Sequence, residues 1–433
     1  MRVNLDLHSH SNYSPGVFNI SLEKIAYAMR LKGVDVIGTG DCLFPDWREM
    51  LERTLVEVEE GIFHLEVAKN SKFILQTEVI FTFAKKGIKG RSRIDVVLLF
   101  PSFAAVDTAI RLLAKWGVKN TTGRPFVLCG KSQEVGEKIR ELVEIDPWIE
   151  VIPAHIMTPE GIFGSRNGID SLKEVFGDTL PEIHTIETGL SADTEVLSLI
   201  PELDNLTFVS SSDAHSAGLN VIGRESTVIE VDNLNYKEVV SAIRKNRVAF
   251  TIEFPPSEGK YFLTGHREDR PGHQGRPCYY SPQFSPSSRV CPICGKNLDL
   301  GVLERAFELG KRQGSKRNFG ELKDNSRPSI QTVPLFNVLK TMRLGEKEYV
   351  AICQEFGNEL NLWLISGEEA EKKLVALNLE QEVIEAIKKI KEGEFCFNPP
   401  GYDGVFGKLK IGERIDILRV REGPIREDQL NLF

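Results

Sequence analysis

The chain has 433 residues, an apolar fraction of 41% and a formal net charge of −8. That length supports a large core and two or three domains, and no apolar run is long enough to cross a bilayer. The acidic balance argues against wholesale nucleic-acid coating while leaving room for a local basic groove. The start, Met1-Arg2-Val3-Asn4-Leu5-Asp6, lacks an apolar targeting core, so the expectation is a cytoplasmic protein with no membrane association. Seven cysteines in a chain of this length are not a secreted disulfide framework, and Cys42, Cys129, Cys353 and Cys396 are dispersed.

From residue 1 to about 235, short apolar runs alternate with amphipathic stretches, the pattern of an α/β unit. Predicted strands cover 3–7, Val34 to Thr39, Phe73 to Val79, Val96 to Phe100, Ile149 to Pro153, His184 to Glu187, Leu206 to Ser210 and Ser226 to Val231. Ser21 caps a predicted helix that Gly33 closes, and further helices are expected over Phe103–Trp116 and Ser132–Val143. Trp47 to Lys69 reads as one long helix, with His64 an ordinary residue on its face. Gly130-Lys131-Ser132 lacks the glycines of a phosphate loop, and Ser132 more simply caps the helix that follows. The loop from Ile156 to Gly164 suits a cleft rim, with Arg166 and Asn167 as candidate phosphate contacts. A basic segment, Lys85, Lys86, Lys89, Arg91 and Arg93, reads equally well as a solvated loop.

The strand ends carry the chemistry. In an extended segment residues i and i+2 face the same side, so His8 and His10 can converge on one ion while Ser9 faces away. Alone, such a pair is more often two ordinary polar residues on the surface. Asp213-Ala214-His215 repeats the geometry at a later strand end, and Asp41, Glu78 and His155 each belong to or follow a strand-like run. Histidine and carboxylate without thiolate suit zinc, manganese or iron, and the set is too nitrogen-rich for magnesium alone. It also exceeds the needs of one ion, so a multinuclear cluster is expected, with Glu78 free to bridge. Ions about 3.5–4 Å apart activate water and orient a phosphate ester.

This constellation resembles the polymerase and histidinol phosphatase superfamily of metal-dependent phosphoesterases. The resemblance rests on His8-x-His10, Glu78, His155 and Asp213-x-His215 over about residues 1–235. It implies a distorted (β/α)7 barrel in which these residues and Asp41 are metal ligands. The second motif appears as Thr39-Gly40-Asp41, and Asp95 stands where the family often has a histidine.

After the predicted helix Tyr236–Arg247 the composition changes. Residues 264–290 are rich in Gly, Pro, Ser, His and Arg without periodicity, so they need something other than an apolar core to order them. Cys291-Pro292-Ile293-Cys294-Gly295-Lys296 is a zinc knuckle by its spacing. Cys278 is the one upstream cysteine near it, and His273 is preferred to His266 as the fourth ligand of a structural Cys3His zinc site. Beyond it, Val302, Ala306 and Leu309 share a helix face, beside a basic stretch containing Arg305, Lys311, Arg312, Lys316, Arg317, Lys323 and Arg327. Residues 325–334 read as loop. Helices follow over Leu335–Met342, Lys347–Phe356, Glu359–Ile365, Glu368–Leu377 and Gln381–Lys391.

The order of a phosphoesterase domain, Gly265-His266-Arg267, the Cys291-x-x-Cys294-Gly295-Lys296 knuckle, Gly301-Val302-Leu303-Glu304-Arg305-Ala306 and a helical tail with Pro400-Gly401-Tyr402-Asp403-Gly404 resembles the endonuclease Q family. Its members nick DNA 5′ of uracil, hypoxanthine and abasic sites, commonly with two Cys-x-x-Cys pairs where this chain has Cys278 alone upstream. The resemblance implies a metal-dependent DNA repair endonuclease of three parts: a phosphoesterase domain (1–235), a linker helix and zinc module (236–300) and a mostly helical DNA-recognition domain (301–433). It implies Zn2+, with Mn2+ or Mg2+ as alternatives for activity, damaged DNA as partner, and contact with replication or repair proteins. Arg166, Arg305, Lys311, Arg312, Lys316 and Arg317 are the candidate backbone contacts, and Phe319, Asn325 and Tyr402 the loop-borne candidates for reading the base. Competing readings are a small-molecule phosphatase of the histidinol type and a non-catalytic DNA-binding protein.

Overall fold

One sheet organises the chain, and a computed structural model describes it over residues 1–85, 90–319 and 327–424. Lys86, Lys89, Lys323 and Asn325 lie outside the described residues. The strands that matter are β1 (Arg2–Asp6), β2 (Val36–Gly38), β3 (Leu55–Glu59), β4 (Ile62–Leu65), β5 (Ala68–Phe83) and β6 (Ser92–Phe100). They continue as β7 (Phe126–Leu128), β8 (Glu150–Pro153), β9 (Thr185–Glu187), β10 (Thr207–Val209), β11 (Ser226–Glu230) and β12 (Val248–Glu253). Beyond them come β13 (Thr264–His266), β14 (Cys278–Tyr280) and β15 (Ser329–Gln331).

β1, β2 and β5 run parallel, β6 lies antiparallel between β5 and β8, and β7 pairs parallel with β5. β9 and β10 pair with each other, and a parallel bridge between Ser9 and Ala214 ties the end of β10 back to β1. On the other side of β1, β11 and β12 add antiparallel strands, and β15 joins β12 in parallel. The sheet therefore takes a strand from a stretch expected to be loop.

Burial explains the long central strand. Residues 73–81 of β5 are buried on both faces, with Phe73, Leu75, Val79 and Phe81 in the larger core cluster and Ile74 in the smaller. Such a strand reads as a continuous apolar run rather than an alternation. The face that carries Gln76 and Glu78 is the one that meets the ends of β1 and β2, through Gln76 Oε1, which accepts from the Ser9 and Gly40 amides.

The helix expected over Trp47–Lys69 is a correction. It spans Pro45–Thr54, and β3 and β4 then form a hairpin. Val56-Glu57-Val58-Glu59 alternates with the two-residue period of a strand. Gly61 takes φ +68 at the turn, and a Cβ there would lie 2.8 Å from the Pro101 carbonyl oxygen. His64 consequently sits buried on β4 instead of on a helix face.

Ser21 does cap the helix Leu22–Lys32, and Gly33 closes it at φ +82. Ser132 makes no such cap: its side chain bonds no helix amide, and Glu134 instead accepts from the Gly130 amide at 2.7 Å. The tail is helical as expected, over Leu335–Thr341, Glu346–Phe356, Glu359–Leu364, Gly367–Ala376 and Gln381–Lys391. It is tied to the helix Leu22–Lys32 by a buried pair, Lys32 Nζ to Glu359 at 2.8 Å. Glu359 also accepts from Tyr349 Oη, the Leu335 amide and Trp363 Nε1.

Candidate metal centre

The two motifs at the strand ends are joined through their middle residues. His10 donates its amide to the Ala214 carbonyl at 3.0 Å, and Ala214 returns a bond to the His8 carbonyl at 3.2 Å. Ser9 turns away, its hydroxyl on the Gly38 carbonyl, which leaves His8 and His10 on the opposite side. The alternation read from the sequence thus places both imidazoles against Asp213 and His215.

Three groups of donor atoms form, each within 4.8 Å: His8, His10 and Glu78; Glu78, Asp95 and His155; His10, Asp213 and His215. Glu78 belongs to two of them. His8 Nε2 stands 3.9 Å from Glu78 Oε1 and 3.6 Å from Asp213 Oδ1, while His155 Nε2 lies 3.4 Å from Glu78 Oε1. His8 Nε2 and Glu78 Oε1 are buried and have no hydrogen-bond partner. Both atoms offer a lone pair to one space, His8 Nε2 because Nδ1 faces Glu187 and Glu78 Oε1 as a carboxylate oxygen, and such buried lone pairs are what bound cations would satisfy, so the residues fit a multinuclear divalent site.

Asp41 stands one step behind. It accepts from the Ser11 amide at 2.7 Å and from the Ser11 and Ser14 hydroxyls, with His10 Nδ1 at 3.5 Å. It belongs to none of the donor groups among the described residues, and orients His10 instead. Two residues missed in the sequence support the site. Glu187, at the end of β9, places its oxygens 3.1 and 3.0 Å from His8 Nδ1 and accepts the His155 amide. Arg124 Nη1 lies 3.3 Å from Glu78 Oε2. Glu187 had a signal, an acidic residue ending a predicted strand, but nothing in sequence links it to His8.

The backbone is bent to reach this arrangement. Asp41, His155 and Asp213 take φ of +49, +29 and +48, the left-handed region that side chains disfavour. Gly189 lets His155 fit, because a Cβ on it would fall 2.4 Å from the His155 Cβ.

Charges hold one another in the cluster. Burial alone would lower His10, but hydrogen bonds to Asp213 and Asp41 and the charge of Glu78 outweigh it and lift the imidazole to about 10. His155 also rises to about 10, burial being outweighed by Glu78, Asp213 and Asp95. Burial pushes Glu78 and Asp213 upward, yet the surrounding histidines hold both carboxyls below the usual range. Asp95 moves up, through burial and the charge of Glu78, against its ion pair with Arg93. Protons and metal ions therefore compete for the same nitrogens.

The proposed DNA contacts fare differently. Arg305 is a correction: its guanidinium is buried and bonds the Phe163 and Ile169 carbonyls and Asp170, anchoring the 156–170 loop. Arg312 also pairs with Asp170, Arg317 with Asp204 and Arg166 with Glu160. Lys311 and Lys316 are exposed. Tyr402 is buried against Tyr279, with ring centroids 4.5 Å apart, and Phe319 lines a cavity of about 260 Å³ with Asp193 and Phe397.

At the knuckle, His266, His273, Cys291 and Cys294 bring four donor atoms within 4.8 Å. His266, passed over in the sequence, lies 3.5 Å from Cys294 Sγ and 3.3 Å from His273. Cys278 pairs with His266 across β13 and β14, so their side chains neighbour each other, and its sulfur is 3.5 Å from that of Cys291 without joining the four. The Ile293 amide points at Cys291 Sγ, the turn that suits a metal thiolate.

No family model matches the chain. Among solved structures, it is similar to the lesion-specific endonuclease PfuEndoQ of Pyrococcus furiosus, at 27% identity and a TM-score of 0.76, covering 100% of this chain and 99% of that one. An endonuclease Q complex with a 27-mer duplex bearing an abasic lesion at its active site gives the same identity and TM-score, over 97% and 99% of the two chains. An uncharacterised protein of Methanocaldococcus jannaschii is 29% identical over 242 residues, or 52% of this chain, which spans 28% of that relative's length. The uncharacterised protein YqxK of Bacillus subtilis is 25% identical over 94% of this chain and 99% of its own length. With a constellation of candidate metal ligands beside β1 and a structural likeness that runs through the knuckle and the tail, the chain is similar to endonuclease Q over its whole length.

Proposed function

We propose that this protein is a metal-dependent DNA endonuclease that cuts the phosphodiester 5′ of deaminated bases or abasic sites. The observation that carries the reading is the trio of donor groups sharing Glu78 and His10, inside a chain similar from end to end to a lesion-specific endonuclease. Bound divalent ions, zinc with manganese or magnesium as alternatives, supply positive charge to phosphate oxygens and acidify water. His8, His10, Glu78, Asp95, His155, Asp213 and His215 would hold them, Asp41 and Glu187 would fix the rings, and the bent turns would keep the set in register. We read β1, β2, β5, β6, β8, β9 and β10 as the wall of a distorted seven-stranded barrel, because the Ser9–Ala214 bridge returns β10 to β1. The knuckle residues would hold a structural zinc, and the three-part division and cytoplasmic location belong to the same reading. No helix among the described residues is long and apolar enough to cross a membrane.

The test is a paired nicking assay on uracil, hypoxanthine, abasic and undamaged duplexes, with zinc, manganese and magnesium each supplied. Nicking of the damaged duplexes alone, abolished by Asp213→Ala with DNA affinity largely retained, is expected. Equal cutting of undamaged DNA, or none with any ion, ends the reading.

A further inference from the structure

Arg124 was not singled out by the sequence, yet the fold aims it at the cluster. β7 runs parallel to β5 with Phe126 beside Ile80, and extending that register by two residues sets Arg124 beside Glu78. The loop before it is pinned at several points. The Gly123 amide donates to the Tyr13 carbonyl at 2.8 Å, Asn120 Nδ2 to the Leu43 carbonyl at 2.6 Å, and Thr122 Oγ1 to the Arg124 carbonyl at 2.9 Å. A Cβ on Gly123 would fall 2.4 Å from the Asp41 carboxylate, so this loop presses directly on the wall that orients His10.

The guanidinium so placed is under-used. Its Nη1 lies 3.3 Å from Glu78 Oε2, and its Nε is buried with no hydrogen-bond partner. Arg93, on the neighbouring strand, gives both Nε and Nη2 to the two oxygens of Asp95, and so has no comparable surplus. Arg124 keeps some access, with its side chain 16% exposed, and its charge acts on His215, which like Asp213 is partly open. Glu78 also serves two of the donor groups, so its oxygens cannot be reserved for the arginine.

We infer that Arg124 binds the scissile phosphate, giving its free N–H groups to a non-bridging oxygen of the phosphodiester. A planar guanidinium suits this better than an ammonium because it offers several donors in fixed directions and stays charged. Its charge would face the non-bridging oxygens, which carry the negative charge of the pentacoordinate transition state, so its contribution grows there. This rests on the phosphoesterase reading of the cluster and goes beyond it by naming a residue of the chain that touches the substrate.

The test uses the full-length, metal-loaded protein with two probes that do not depend on DNA damage: hydrolysis of bis(4-nitrophenyl) phosphate and binding of inorganic phosphate by calorimetry. Arg124→Ala is expected to keep the wild-type ion content by mass spectrometry, to lose about 100-fold in kcat/KM, and to bind phosphate roughly tenfold more weakly. Added guanidinium at millimolar concentration should restore part of the lost rate, and Arg124→Lys should fall between. Unchanged phosphate affinity, or loss of ions in step with loss of rate, overturns the inference, since Arg124 would then act only through Glu78. A wild-type enzyme that hydrolyses the diester without nicking lesions would refute the DNA assignment and leave this one standing.

Discussion

Glu187 grips the back of His8, with both carboxylate oxygens near 3.0–3.1 Å from Nδ1, while Nε2 on the other side of the ring is left without a partner. The contact fixes which nitrogen faces the cluster. Because Glu187 also accepts the His155 amide, its loss displaces two candidate ligands together. Glu187→Gln is expected to weaken metal binding by about 10- to 100-fold. Metal titration of nicking activity should show a higher half-saturation point with much of the maximal rate recovered at high metal.

The knuckle makes a choice between ligand sets testable. His266→Ala and His273→Ala are expected to lose the structural zinc and to become sensitive to protease over residues 264–298, because this segment has little apolar core beyond Cys278, Tyr280, Cys291 and Leu298. Cys278→Ser is expected to retain zinc. Loss of zinc from Cys278→Ser with retention in His266→Ala would restore the three-cysteine set.

Lys32 and Glu359 have side chains only 2% and 3% exposed. Lys32→Met strands a buried carboxylate and should cost about 3–5 kcal/mol in urea unfolding. The double variant Lys32→Met/Glu359→Gln should recover part of that, since glutamine keeps an acceptor for the Leu335 amide and Trp363 while shedding the charge.

Glu150, buried on β8 against Arg244, is pushed up from 4.5 to about 7 by burial, an effect that Arg244 and Thr185 only partly offset. The folded chain then holds a proton that the unfolded chain gives up near pH 4.5, so this group's contribution is full below that pH and is lost as the pH rises through about 7. The upper bound is about 3 kcal/mol. Glu150→Gln should flatten the fall in thermal stability between pH 5 and 8, measured by calorimetry on both proteins.

The parts of the site legible in the sequence are those whose spacing is local. His8 and His10, or Asp213 and His215, declare themselves because a strand fixes the relation of residues two apart. His155 follows from its strand end, whereas Glu78, expected near the close of a strand at Val79, lies within the longer β5. Glu187 is 179 residues from its partner, and Arg124 acquires meaning only from the pairing of β7 with β5, so neither could be placed without the fold. Asp41 was found as a polar residue at a strand end, but its serine partners turn it toward His10 and away from the donor groups. The stretch after Thr54 misled because Leu55 continues the four-residue spacing of Trp47 and Leu51, and a turn at Gly61 outweighed it. Arg305 misled for the opposite reason: a charge in a basic stretch looks solvated until a loop folds over it.

The pairing of β15 with β12 bears on how the chain is made. Ser329–Gln331 closes the edge of a sheet whose opposite end begins at residue 55, and the Gln331 side chain donates to Asp193 at 2.6 Å. During synthesis from the N-terminus, the phosphoesterase half emerges with β12 unpaired on that side and waits for a further seventy-odd residues. An open strand edge invites pairing with other chains. Truncation after the knuckle would make that transient state permanent, so a shortened chain should aggregate instead of behaving as an isolated catalytic domain.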